Sequence, residues 1–362
     1  MQSHCLTRVI FVLGLVTILP AATVAEETAD EASAIAWVQQ HQGKIVRDEN
    51  QPGRPVVEVY FLGLFGRDPN VDDAGLKKLI AFPQLRSLSL NRSEVTDAGM
   101  SLLTRFKKLR ELDLSWTKVT DEGVQRLTDI ESLRVLNLSV TPITDAALEA
   151  LAGHGKLVDL DVQNTKVSDA GLKHLESLPN LTRLWVYHTA VTDAGVQTLA
   201  RLQSLRELSL GWNKITDEGV KEVAALPELR FLCLYHTQVT NKCLKAVAQL
   251  KHLRSLDLEH TKVSDVGLKE MAKLQQLRYL SLQSTQITDA GIRHLTSLKN
   301  LKKLNVYNTN ITDAGLASVA QSKTLRTSLE RLYVGKTKVS ATGLKQAKRV
   351  MPQCNIYDGY LE

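Results

Sequence analysis

The chain has 362 residues, is 43% apolar and carries a formal net charge of +6. Lys and Arg are dispersed rather than gathered into blocks, and the four cysteines are dispersed as well, so neither a basic nucleic-acid tail nor a disulfide framework organises it. No nucleophile–base motif, phosphate-binding loop or zinc-ligand spacing occurs, which argues against an enzyme.

Arg8 precedes an uncharged apolar run from Val9 to Leu19; Pro20 ends it, and Thr23-Val24-Ala25 supplies a small-residue cleavage site. The run is too short to span a bilayer, so residues 1–25 read as a cleaved secretory signal. The expected product is exported, to the periplasm, the cell surface or the extracellular space, with no membrane span after cleavage. Thr28 and Glu31 have capping-box spacing and predict a helix over 28–42. Gly43–Arg47 and Val56–Phe61, separated by a turn-rich loop at 49–54, predict two strands of a hairpin. Val71-Asp-Asp-Ala-Gly-Leu begins an irregular first repeat, so residues 26–84 are expected to cap the N-terminal end.

From Leu85 one pattern recurs every 24 residues, with starts at Leu85, Leu109, Leu133, Leu157, Leu181, Leu205, Leu229, Leu253, Leu277 and Leu301. An eleventh copy starts at Leu329, displaced by four extra residues around 323–328. A fixed period in the range of about 20–50 residues marks a solenoid. Within Leu109-Arg-Glu-Leu-Asp-Leu apolar residues alternate, as in a strand with one buried face; Val124, Leu127 and Ile130 then recur in threes, as in a short helix. Asp121 and its counterparts sit where each helix begins and read as N-caps. The expected fold is an α/β solenoid: a parallel sheet lining the inside of a horseshoe, with short helices on the outside. Repeats would fill 85–350, and 351–362 would form a C-terminal cap and tail.

The pattern LxxLxLxxTxVTDAGLxxLxxL resembles the leucine-rich repeat family, in the short-repeat form seen in exported bacterial and F-box-associated members. It covers about residues 43–356. Thr117 and eight counterparts stand where that family usually has Asn or Cys; Ser93 and Asn213 are the exceptions. The resemblance is specific for fold and says little of function, because the family's activities differ while the scaffold stays the same; no cofactor is expected.

The third, fifth, seventh and eighth residues of each repeat are left free by the pattern and are expected on the inner face of the sheet. Nine of the chain's 18 aromatic residues occupy these columns: Trp116, Trp185, Tyr187, Trp212, Phe231, Tyr235, Tyr279, Tyr307 and Tyr333. With Arg183, His188, His236 and His260, all of these except Tyr333 make a candidate partner-binding surface, densest in repeats five to seven, since exposed aromatic clusters mark contact surfaces. His236 and His260 share a column but lack the further ligands zinc needs. Glu111, Asp113, Asp159 and Asp161 form an acidic group that suits an ion or a basic segment, or is simply a solvated face. The four columns hold five basic and seven acidic residues, which excludes a nucleic-acid face. The expected function is capture of a protein or peptide partner. Two alternatives are a carbohydrate-binding surface and a ubiquitin-ligase-like substrate adaptor, although 26–84 is too short and strand-rich for an F-box.

Overall fold

The computed structural model describes residues 29–61 and 70–359. The signal-peptide reading of residues 1–25 lies outside the described residues. The chain divides into two compact units, one running to Val167 and including Ser177–Leu181, the other comprising Ser168–Glu176 and the chain from Thr182 on.

The first unit opens with the helix Ala29–Gln40 and the antiparallel strands Gly43–Arg47 and Val56–Phe61, as the hairpin reading requires. From Val56–Phe61 onward every pairing is parallel: Ser87–Ser89, Glu111–Asp113, Val135–Asn137 and Asp159–Asp161 follow in order. The register equals the sequence period, so Leu88, Leu112, Leu136 and Leu160 are direct neighbours. The second unit repeats this with the strands Arg183–Trp185, Glu207–Ser209, Phe231–Cys233, Ser255–Asp257, Tyr279–Ser281, Lys303–Asn305, Arg331–Tyr333 and Asn355–Tyr357, all parallel. The four displaced residues before Leu329 are taken up by an additional helix, Lys323–Ser328.

Three-residue strands cannot hold a sheet by themselves, so the interior leucines carry the fold. The first, fourth and sixth residues of the repeats, such as Leu181, Leu184 and Val186, are fully buried. Each Leu side chain removed from water contributes roughly 1.5–3 kcal/mol, and because neighbours stack in identical register the apolar strip is continuous within each unit.

The helix starts differ from the sequence expectation. Thr or Ser, one residue before each Asp, is the N-cap: Thr192 is extended, and its hydroxyl accepts from the Ala194 amide. The Asp instead reaches into the next repeat. Asp169 accepts the Thr192 amide at 2.7 Å and the Thr192 hydroxyl at 2.6 Å, and the same pair of bonds joins Asp193 to Thr216 and Asp217 to Thr240. As first helical residue the Asp still lies near the positive end of its own helix. The glycine column belongs to this device, because a Cβ on Gly219 would collide with Asp193 Oδ1. Repeat seven departs from the rule: with Asn241 and Cys243 its helix begins as a 3₁₀ turn, Asn241–Cys243, before continuing as Leu244–Val247. Asn241 nonetheless makes both bonds, accepting from the Ser264 amide and donating to the Ser264 hydroxyl.

Candidate functional site

The eighth residue of the repeat is the unexpected one. It does not continue the strand. In all eleven repeats it is left-handed, with φ between 50° and 59°: Arg92, Trp116, Val140, Asn164, His188, Trp212, His236, His260, Ser284, Asn308 and Lys336. Its amide still donates to the next repeat, as Trp212 does to the Tyr235 carbonyl at 2.8 Å. The turn throws the side chain outward from the end of the strand. A left-handed backbone suits Gly or Asn and costs other residues roughly 1–2 kcal/mol. Yet four successive repeats place His188, Trp212, His236 and His260 there, all exposed.

These rings form a ladder. Trp212 and His236 stack with centroids 3.9 Å apart at 21°, and His236 and His260 continue at 5.6 Å and 26°. His188 meets Trp212 edge-on at 5.8 Å. Rings stacked this way turn their edges, not their faces, to solvent. Beside the ladder lies a shallow groove of about 550 Å³, flanked by Lys214 and Lys262 and floored by Thr237, Gln238 and Ser284. Burial and the neighbouring His236 both hold the His260 pKa below the usual histidine value.

The fifth and seventh columns behave differently from the expectation that they face solvent. Tyr187 is 5% exposed, Tyr235 8% and Tyr307 9%, against 41% for Trp212. Tyr187 and Tyr235 come from repeats two apart, yet their rings stack in parallel at 6.2 Å. They close over Gly211, where a Cβ would meet Tyr187 at 2.9 Å. Gly335 is overlain by Tyr307 in the same way. Burial raises the pKa of both Tyr187 and Tyr235. Trp185 and Phe231 are half-buried and pack at 5.4 Å; Arg183 is half-buried at the start of the same strand as Trp185. Tyr279 is half-buried, and burial together with Asp257 and Glu259 raises its pKa well above the usual value. Trp116, in the first unit, is 52% exposed with the Arg92 guanidinium 4.6 Å from its ring.

The Asp and Asn side chains of the fifth column have a structural role that periodicity does not reveal. Asp113, Asn137, Asp161, Asp257 and Asn305 each accept the amide two residues ahead, closing the strand before the left-handed turn. Glu259 accepts from the Ser281 hydroxyl at 2.6 Å and from Asn305 at 3.2 Å, and burial beside Asp257 raises the pKa of both acids. In the first unit Asp113 also accepts the Ser115 hydroxyl. Asp113 and Asp161, two of the four acids of this group, are therefore engaged internally. Among the described residues no group of three His, Cys, Asp or Glu could hold a metal, and the facing planes of His236 and His260 suit stacking rather than chelation.

Strand–turn–helix repeats with interior leucines in exact register, bearing a displayed row of variable side chains, define a solenoid binding scaffold. The chain belongs to the leucine-rich repeat family. A leucine-rich repeat region is matched over residues 213–342, and leucine-rich repeats over 107–127, 130–152 and 201–224. An internalin from Listeria monocytogenes has a similar solved structure, with a TM-score of 0.62 at 23% identity, covering 92% of this chain and 96% of that one. A leucine-rich repeat protein from Leptospira interrogans has a TM-score of 0.57 at 23% identity, covering 77% and 74%. No curated protein is matched. Among the described residues no helix is long and apolar enough to cross a membrane.

Proposed function

We propose that this protein is an exported, non-enzymatic binding protein that captures a protein or peptide partner through the ring ladder His188, Trp212, His236 and His260. The observation that carries the reading is placement against backbone preference. Four successive left-handed positions bear large exposed rings where Asn or Gly would be least costly. Strained, exposed aromatics concentrate binding energy when a partner desolvates them. Leucine-rich repeat scaffolds generally serve protein–protein contact, which supports a protein partner. The stacked geometry favours it over a sugar, since a sugar ring needs a free aromatic face and His236 occupies one face of Trp212. Trp185, Phe231 and Arg183, half-buried on strands two apart, extend the contact, whereas Tyr187 and Tyr235 pack against the ladder rings; Tyr279 and Tyr307 belong to later repeats. Export is supported by the segment at residues 1–25.

The test is capture from the protein's own exported fraction, quantified by mass spectrometry, with wild type beside Trp212→Ala/His236→Ala. Specific recovery should fall at least tenfold with the circular dichroism unchanged. Equal recovery by the two proteins overturns the reading.

A further inference from the structure

The groove beside the ladder has a chemistry of its own. Its walls come from three consecutive repeats: Trp212 and Lys214, His236 and Gln238, His260 and Lys262. Two lysines and two histidines line it, and no carboxylate does. Among the described residues neither Lys214 nor Lys262 forms an ion pair, although other surface lysines such as Lys118, Lys221 and Lys273 are paired with Glu94, Glu218 and Glu270. Lys214 and Lys262 are exposed and lie two repeats apart, with Gln238 in the same column between them. At about 4.8 Å per strand that separation is close to 10 Å.

The charged groups nearest the histidines do not neutralise the groove. Tyr235, at the end of the adjacent strand, is buried and uncharged at neutral pH. Glu259, beside His260, is 2% exposed and turns its carboxyl away to Ser281 and Asn305; Asp257 is 1% exposed behind it. His188 extends the ladder on the far side of Trp212 without adding negative charge. What the groove offers a partner is therefore two ammonium groups, ring N–H edges, and the amide and hydroxyls of Gln238, Thr237 and Ser284.

We infer that this groove holds an acidic segment of the partner, with Asp or Glu side chains set between Lys214 and Lys262 and against the edges of His236 and His260. This rests on the capture reading above and names the chemistry it selects. The complementarity decides between occupants. A basic segment meets like charge, and a neutral one leaves the unpaired lysines without compensation, whereas spaced carboxylates satisfy both the lysines and the donor edges. Extended peptide places alternate side chains about 7 Å apart, and the flexible lysine side chains make up the difference from the roughly 10 Å between their repeats. The two histidines couple the site to pH. Burial and the neighbouring His236 hold the His260 pKa low, and a carboxylate against its ring edge favours the protonated form, so affinity rises as pH falls.

The probe is a fluorescent peptide of about ten residues in which Glu alternates with Ser, with a Gln–Ser peptide as neutral control. Both are titrated into the full-length protein at low salt by fluorescence anisotropy. The acidic peptide should bind and the neutral one should not. Lys214→Gln/Lys262→Gln should weaken binding about three- to tenfold, the range for exposed charge pairs. His236→Gln/His260→Gln should flatten the gain seen between pH 7.5 and 5.5. Equal binding of the two peptides, an unchanged Kd in the lysine variant, or binding of a sulfated polysaccharide but not the acidic peptide would overturn the inference. The two readings fail separately. A lysine variant that still captures the natural partner, while Trp212→Ala/His236→Ala does not, removes the groove chemistry and leaves the ladder standing.

Discussion

Asp193 and Thr216 are tied together twice: Asp193 Oδ1 accepts the Thr216 amide at 2.9 Å and Oδ2 accepts its hydroxyl at 2.5 Å. One side chain thus joins two repeats at the point where the next helix starts. Hydrogen bonds to a charged acceptor are worth about 1.5–3 kcal/mol each when sheltered, and less here because the pair is only partly buried. Asp193→Ala should cost about 1–3 kcal/mol in urea unfolding. Asp193→Asn should cost less than half as much, because Asn241 already makes both bonds in repeat seven. Equal losses in the two variants would show that the carboxylate's charge, not its geometry, does the joining.

That pair also marks where sequence reading stops. The 24-residue period determines strand, register, interior leucines and helix, because burial repeats with the period and so does its signature. The Asp column is equally visible, yet its role is not. Capping preference points to the helix the Asp begins, whereas the bonds run to the Thr 23 residues on, a relation that exists only once repeats stack. The candidate surface divides along the same line. The pattern leaves columns three, five, seven and eight free, but alternation alone cannot tell that column eight leaves the strand in a left-handed turn. Nor can it tell that Tyr187 and Tyr235 come together over a glycine. Gly211, alone between two tyrosines in its column, is the signal that could have predicted that pairing.

Gly211 gives a second prediction. Its Cβ would sit 2.9 Å from Tyr187 Cδ2 and 3.0 Å from the Tyr235 carbonyl oxygen, with backbone on one side and a stacked ring on the other. Neither moves without breaking the Tyr187–Tyr235 stack, so Gly211→Ala should destabilise the protein by about 1–3 kcal/mol, the usual range for overpacking. The change should also move the near-ultraviolet circular dichroism of the tyrosines. Gly153→Ala, a position with nothing within 4 Å, is the control and should be neutral.

Asp161 supplies a pH dependence. Burial, with Asp159 and Asp113 adding to it, pushes its carboxyl up to about 8. An unfolded Asp releases its proton near pH 4, while the folded protein keeps it to near pH 8. Between those values the native state binds more protons, so this group's contribution to stability is full below pH 4 and is lost as pH rises towards 8. The protonated acid also has an acceptor at hand, because Gln163 Oε1 is buried without a partner among the described residues while Gln163 Nε2 contacts Asp161 at 3.1 Å. Asp161→Asn keeps the acceptor for the Gln163 amide and adds a permanent donor. Urea midpoints at pH 5 and pH 8 should therefore differ less in Asp161→Asn than in wild type. An unchanged difference would mean that Asp161 is ionised throughout.

The ladder allows a prediction that separates fold from function in a single residue. Trp212 holds φ 56°, a conformation Asn adopts at lower cost. Its ring is 41% exposed, so it contributes little interior packing. Trp212→Asn gives up the stack on His236 but relieves the left-handed strain, and the melting temperature should hold or rise. Partner capture should fall nonetheless, because the edge-on rings lose their largest member. That combination is the trade expected where a strained residue is kept for binding. A variant that melts several degrees lower with capture intact would make Trp212 a structural residue and leave the left-handed column without a binding role.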